Sequence, residues 1–314
     1  MQEAKSNKHP NDFDDEIDLR ELFYALWKGK WIIVSLTTFA SIIGVIYSLS
    51  LPNIYESKAL LAPVNSSSGI SGALRSYGGL AGFAGISLPP GGDEGNSAKA
   101  IKKISSLSFF ENNILKNIYL PDLMALESWN SETNTVSYNE NVYDTISNTW
   151  IADDADLTKK IPSPQKSFKV FKSKLNLMID NKTGFITISI KHQSPFLAKQ
   201  WIEIIVNEIN SFYRQKDKSE SEKSASYLNQ QISMTSLSEI KQVLAQLLQE
   251  ETKKLTLIEA NEFYVFDYID PPAVMELKTE PKRALICIIS AILGGMLSIV
   301  LVLIKHFIFK VKVN

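Results

Sequence analysis

Two runs of 21 residues, Trp31–Leu51 and Ala284–Ile304, carry no charged side chain. Each is long enough to cross a hydrocarbon core of about 30 Å as a helix. The first exceeds a signal-peptide core and has no small-residue cleavage pattern behind it, so it reads as an uncleaved anchor. Trp27 and Trp31 at one edge, and Tyr47 and Tyr55 near the other, sit where aromatic belts form. Two spans put both termini on one side. The terminal flanks hold six Lys and Arg (Arg20, Lys28, Lys30, Lys305, Lys310, Lys312) and the inner flanks four (Lys58, Lys278, Lys282, Arg283), which favours termini inside. The reading is a cytoplasmic tail with an amphipathic helix (1–30), a first span (31–51), an outside domain (52–283), a second span (284–304) and a short cytoplasmic tail (305–314). Within the first tail, Asp18-Leu-Arg-Glu21 is a capping-box variant. Leu19, Leu22, Phe23, Leu26 and Trp27 behind it form an apolar stripe suited to the membrane surface.

Both spans carry small residues at i, i+4: Ala40, Gly44 and Ser48 in the first, Ser290, Gly294 and Ser298 in the second. Such stripes let helix backbones approach closely in lipid. The spans are expected to pack on each other or on neighbouring subunits.

The outside domain is dominated by residues 196–270, which contain no glycine or proline although the chain has 14 and 12 of them. Ser194-Pro195 opens the run and Asp270-Pro271-Pro272 ends it. Leu197, Trp201, Ile204, Ile205, Ile209 and Phe212 recur at helical spacing, with Glu208 the polar exception on that face. A second series comprises Leu237, Ile240, Val243, Leu244, Leu247 and Leu248. One helix over Phe196–Ala260 would be about 98 Å long, far more than a compact domain needs. The serine-rich stretch around Ser236-Leu-Ser-Glu239, a capping-box match, predicts a fold-back: an outgoing helix over 195–232 and a returning one over 237–260.

Three segments read as strands: Tyr55–Leu61, Phe185–Ile190, which alternates strictly, and Phe263–Ile269. Two abut the spans in sequence, so a small, membrane-proximal mixed sheet is expected. Ala98–Asn117 has a helical period, and 121–160 is polar and irregular. The domain carries 25 basic and 27 acidic side chains, leaving no basic field for nucleic acid. Gly78-Gly-Leu-Ala-Gly82-Phe-Ala-Gly85 lacks the Lys-Ser/Thr or acidic partner of a phosphate-binding loop and reads as an apolar loop. Asp153-Asp154-Ala-Asp156 has no accompanying basic or glycine-rich motif and reads as a solvated loop. Cys287 alone, and His9, His192 and His306 scattered, offer no metal set. No nucleophile, base and oxyanion set has recognisable spacing. Neither catalysis nor a cofactor is expected.

Several stretches, in order along nearly the whole chain, resemble the Wzz-type chain-length determinants, polysaccharide co-polymerases of Gram-negative bacteria. They are Asp15-Glu-Ile-Asp-Leu-Arg-Glu-Leu22, Tyr55-Glu-Ser-Lys-Ala-Leu-Leu-Ala-Pro63, the glycine-rich loop and the Ser194-Pro195-Phe-Leu-Ala-Lys-Gln-Trp201 junction. Tyr227-Leu-Asn-Gln-Gln-Ile232, Ile269-Asp-Pro-Pro-Ala273 and Pro281-Lys-Arg-Ala-Leu-Ile286 complete the set. The segment before the second span departs from the family, with Glu276 and Lys278 where prolines are often added.

The resemblance implies a homo-oligomeric, two-pass inner-membrane protein with its bulk in the periplasm and its helices projecting. It implies control of O-antigen chain length in lipopolysaccharide biosynthesis, together with the O-antigen polymerase and the nascent lipid-linked polysaccharide. The fold class expected is α/β: two transmembrane helices flanking a periplasmic domain with a small sheet and a long helical hairpin. With the small-residue stripes, the resemblance nominates Gly294, Ser298, Ser290, Gly44, Pro271, Pro272, Pro281 and Arg283 for coupling between subunits or to the polymerase. Related co-polymerases carry a tyrosine kinase after the second span, and Lys305–Asn314 are too few to supply one. The alternatives are a regulator of enterobacterial common antigen or capsule, and a two-span periplasmic receptor. The receptor would need a signalling module beyond the second span.

Overall fold

The computed structural model describes residues 19–64, 95–151 and 161–311. Residues 1–18, most of the glycine-rich loop and Asp153–Asp156 lie outside them, as does the capping residue Asp18. The chain divides into two units. One contains both spans, and the other comprises Asn53–Thr279.

The second unit is built on a four-stranded sheet. Its strands are β1 (Tyr55–Pro63), β6 (Leu175–Ile179), β7 (Ile186–His192) and β8 (Phe266–Asp270), in the order β6-β7-β1-β8. All three neighbouring pairs are antiparallel, which corrects the expected mixed sheet. The excursion between β7 and β8 does bring the chain back parallel to itself, but β1 lies between those two strands and opposes both. Cross-strand rows such as Leu61–Ile186–Ile179 and Ala59–Ile188–Leu177 form one face, following the period-two alternation of side chains. In that face Leu61, Ala59, Ile186 and Ile188 are buried.

The excursion is a helical hairpin of α7 (Pro195–Met234) and α8 (Ser238–Ala260). Ser194 caps α7, accepting from Leu197 N, and Pro195 takes the first turn, where its missing N–H is harmless. The expected capping box at Ser236 does not form. Thr235 and Leu237 are both extended, so α8 begins after Leu237 with no side-chain cap. The near half of α7 covers the sheet with Ala198, Trp201, Ile202, Ile205, Val206 and Ile209, all 0–1% exposed. This face is wider than expected and is rotated toward Ile202 and Val206.

Glu208, the polar exception, accepts from Asn113 Nδ2 (3.1 Å) and Asn117 Nδ2 (3.0 Å). These asparagines lie in and just beyond a π-helical turn, Phe110–Ile114, that continues the short helix α4 (Leu107–Phe109). The far half of α7 pairs with α8 through Lys218–Glu259 (2.5 Å). The hairpin's base is tied by Arg214 donating to Asn261 O (2.6 Å) and by Tyr264 donating to Asp217 (2.6 Å).

The polar stretch 121–160, expected to be irregular, holds two small hairpins. These are β2 (Leu126–Asn130) with β3 (Thr135–Tyr138), and β4 (Tyr143–Asp144) with β5 (Thr149–Trp150). The remaining helices are α3 (Gly95–Ile104), α5 (Leu120–Met124) and α6 (Pro164–Lys174). His192, at the end of β7, is fully buried against Trp201 (ring centroids 4.8 Å apart). Its Nδ1 accepts from Ser194 N (3.0 Å), which leaves Nε2 to donate to Asp122 O (3.2 Å). Burial first, then the charge of Lys174, brings its pKa down to about 4.

Candidate coupling site in the paired spans

In the first unit, α1 (Leu19–Lys28) leads through Gly29 into α2 (Lys30–Ser50), which lies against α9 (Arg283–Val311). Lys30–Ser50 and Arg283–His306 are each long and apolar enough to cross a membrane. The two helices run antiparallel, as their closest approaches show: Gly29 faces Val302, Gly44 faces Ser290, and Gly294 faces Ala40. A Cβ on Gly44 would strike the Ser290 side chain, and one on Gly294 would strike Ala40 Cβ with Thr37 Cα 3.5 Å away. Ser48 and Ser298 are buried on the same seam.

The serine hydroxyls do not cross-link the helices. Ser290 Oγ donates to Ile286 O (2.8 Å), Ser298 Oγ to Gly295 O (2.7 Å) and Ser41 Oγ to Thr37 O (2.8 Å). Ser41, Ser290 and Ser298 serve as small residues whose hydroxyls are satisfied on their own helix, whereas the buried Ser48 Oγ has no hydrogen-bond partner. The large side chains point the other way: Phe39, Ile42, Ile46, Leu293 and Leu297 are each more than half exposed. Small residues inside and large apolar ones outside reverse the order of a soluble helix pair and suit lipid. Of the two arrangements the stripes allowed, the spans here pack on each other.

Gly29, a single glycine between Lys28 and Lys30, marks the corner of two helices. On α1, Ala25 is buried while Phe23 and Trp27 stack (6.1 Å), with Lys30 Nζ over the Trp27 ring (4.8 Å). Phe23, Tyr24 and Trp27 are each over 60% exposed.

The remaining nominated residues are not drawn into one cluster. Gly44, Ser290, Gly294 and Ser298 share the seam. Pro281 and Arg283 belong to the same unit, where Arg283 N donates to Pro281 O (2.9 Å). Pro271 and Pro272 belong to the other unit, in the segment after β8, Pro271 exposed and Pro272 buried. That segment returns beside β1, with Ser57 Oγ donating to Ala273 O (2.8 Å) and Thr279 N to Ile54 O (2.8 Å). Among the described residues no group of three or more His, Cys, Asp or Glu side chains is placed to hold a metal ion.

Two spans around a soluble α/β domain that sends out a helical hairpin define a class, the two-pass membrane protein with a large extramembrane domain. Residues 15–112 match the family Wzz, chain length determinant protein, and residues 229–307 match GNVR, a G-rich domain on putative tyrosine kinase. The first match covers 98 of the 314 residues, and over them the chain is similar to the chain length determinants. No curated protein matches it significantly. Among solved structures it is similar to a full-length bacterial polysaccharide co-polymerase at 14% identity, covering 93% of this chain and 99% of that one, with a TM-score of 0.42. It is also similar to a fragment of WzzB, a polysaccharide co-polymerase from Salmonella Typhimurium, at 12% identity, covering 73% and 100%, with a TM-score of 0.32.

Proposed function

We propose that this chain sets the modal length of lipopolysaccharide O-antigen as a homo-oligomer in the bacterial inner membrane. In this reading it acts with the O-antigen polymerase and the nascent lipid-linked polysaccharide, its termini cytoplasmic and its bulk periplasmic. The observation that carries the reading is the family match over residues 15–112, which spans the approach to the membrane, the first span and β1. The hairpin supports the oligomer. Tyr227, Met234, Leu237, Ile240 and Val243 are 46–68% exposed along it, an apolar surface of the kind that marks a protein interface. The seam residues Gly44, Ser290, Gly294 and Ser298, with Pro271, Pro272, Pro281 and Arg283, transmit between subunits or to the polymerase.

The test is deletion of the gene, followed by gel separation of lipopolysaccharide, enterobacterial common antigen and capsule from the same cells. The reading predicts a changed length distribution in lipopolysaccharide alone. A change confined to either of the other glycans would reassign the polymer.

A further inference from the structure

The small lobe formed by α5 and the hairpins β2–β3 and β4–β5 has a composition unlike the rest of the domain. From Leu126 to Ile151, Ser, Thr and Asn account for 13 of 26 residues, and there is no Lys or Arg. Into this polar surface are set four linked aromatic rings. Tyr143 lies 5.1 Å from Trp150, 5.9 Å from Tyr138 and 6.3 Å from Tyr119 between ring centroids. Tyr143 is buried and serves as the lobe's small core, whereas Tyr119 is 49% exposed and Tyr138 and Trp150 are partly so.

Hydrogen bonds fix the outer ends of the tyrosine rings. Tyr143 donates to Asn148 Oδ1 (3.2 Å), so at the 2.6 Å Tyr119–Tyr143 contact Tyr119 is the donor. Tyr138 donates to Asp122 Oδ1 (2.6 Å). The β4–β5 turn is held by Asp144, which accepts from Ile146 N (2.9 Å) and Ser147 Oγ (2.6 Å), and it presents Ile146 at 94% exposure.

We propose that this lobe binds a neutral segment of the polysaccharide across the half-exposed ring of Tyr119 and the partly exposed ring of Trp150, an inference that rests on the chain-length reading above. A sugar ring offers an apolar C–H face and a rim of hydroxyls. Rigid aromatic rings take the first at low entropic cost, and short hydroxyl and amide side chains take the second. Tyr119, tied at its hydroxyl and packed edge-on against Tyr138 and Tyr143, and Trp150, packed against Tyr143, lose little freedom on binding. With no cation on the lobe's strands and turns, phosphate-bearing ligands are disfavoured there. Contact with the growing chain would let the protein hold it while repeat units are added.

The experiment is saturation-transfer NMR on the full chain in nanodiscs. The probe is polysaccharide released by mild acid from the producing cells' own lipopolysaccharide. The wild type is expected to transfer saturation to sugar protons. Tyr119→Ser and Trp150→Ala are each expected to weaken binding about tenfold, and Tyr119→Phe to stay within about twofold, because the ring face is kept. Should Trp150→Ala fail to fold, the half-exposed Tyr119→Ser decides alone. No transfer to the wild type, or equal transfer to the serine variant, would overturn the inference. So would variants that keep the glycan signal but lose co-purification with the polymerase, which would make the lobe a protein contact. An unchanged polymer distribution on gene deletion would instead overturn the chain-length reading, whatever the lobe binds.

Discussion

Asn210, on the sheet-covering half of α7, holds the backbone of Phe266 from both sides. Its Nδ2 donates to Phe266 O (2.9 Å), while its Oδ1 accepts from Phe266 N (2.9 Å) and Val265 N (2.8 Å). The start of β8, an edge strand 56 residues further along the chain, is therefore fixed to α7 by one buried amide. The hairpin leaves the sheet after β7 and is obliged to return at this point.

Asn210→Ala would leave two backbone donors and one acceptor without their partner at a buried site. A loss of about 2–4 kcal/mol is expected, read as a lower denaturant midpoint for the soluble unit. An unchanged midpoint would show that β1 alone holds β8.

The pH dependence of stability should carry the signature of His192. Its folded pKa of about 4 lies below the ordinary value of 6.5. Between the two the unfolded chain binds the extra proton, so this group's contribution is fully present above about 6.5 and is lost as pH falls toward 4, by roughly 3 kcal/mol in all. Asp122, whose carboxyl is pushed up by burial, contributes in the opposite sense but is common to wild type and variant. The wild-type denaturation midpoint should fall more steeply over this range than that of His192→Asn. Parallel profiles would contradict the assignment.

In the seam, Gly294→Ala should push α9 from α2, and Ala40→Gly should relieve it, because the added Cβ would clash with Ala40 Cβ. Gly294→Leu should still insert, since leucine suits the bilayer core, but should shift the polymer distribution at normal protein level. Ala291, partly exposed beside the seam, is the comparison site. Equal effects of leucine at 291 and 294, or no rescue by Ala40→Gly, would remove the seam from the coupling account.

Topology is tested by reporters. Asn134 sits at the β2–β3 turn with a left-handed φ of 50° and is exposed, so an insertion there should be tolerated and active only in the periplasm. A fusion at Asn314 should be active only in the cytoplasm. Periplasmic activity of the Asn314 fusion would invert the arrangement.

The long elements were legible because their signals are repetitive. Uncharged 21-residue runs, small-residue spacing and a stretch free of glycine and proline survive any error at a single position. The strand cores were legible where burial is one-sided, as at Ile186, Ile188 and Ile190. What escaped depends on tertiary contacts or on short range. The β2–β5 hairpins are two to five residues per strand, too short and too polar to alternate visibly. Helix α6 and β6 were missed although Ser163-Pro164 repeats the Ser194-Pro195 start signal, with Ser163 accepting from Lys166 N. Asn210 looked like one more polar residue on a helix. Only the return of β8 gives its amide a partner.

The central claim is that this chain regulates the length of a polymer it does not itself make. The most direct test counts repeat units per lipopolysaccharide chain in a deletion strain, with and without the gene restored. The account predicts polymer in both, broad and dominated by short chains without the gene and clustered about one modal length with it. Absence of polymer in the deletion strain, or the same distribution in both, would contradict it.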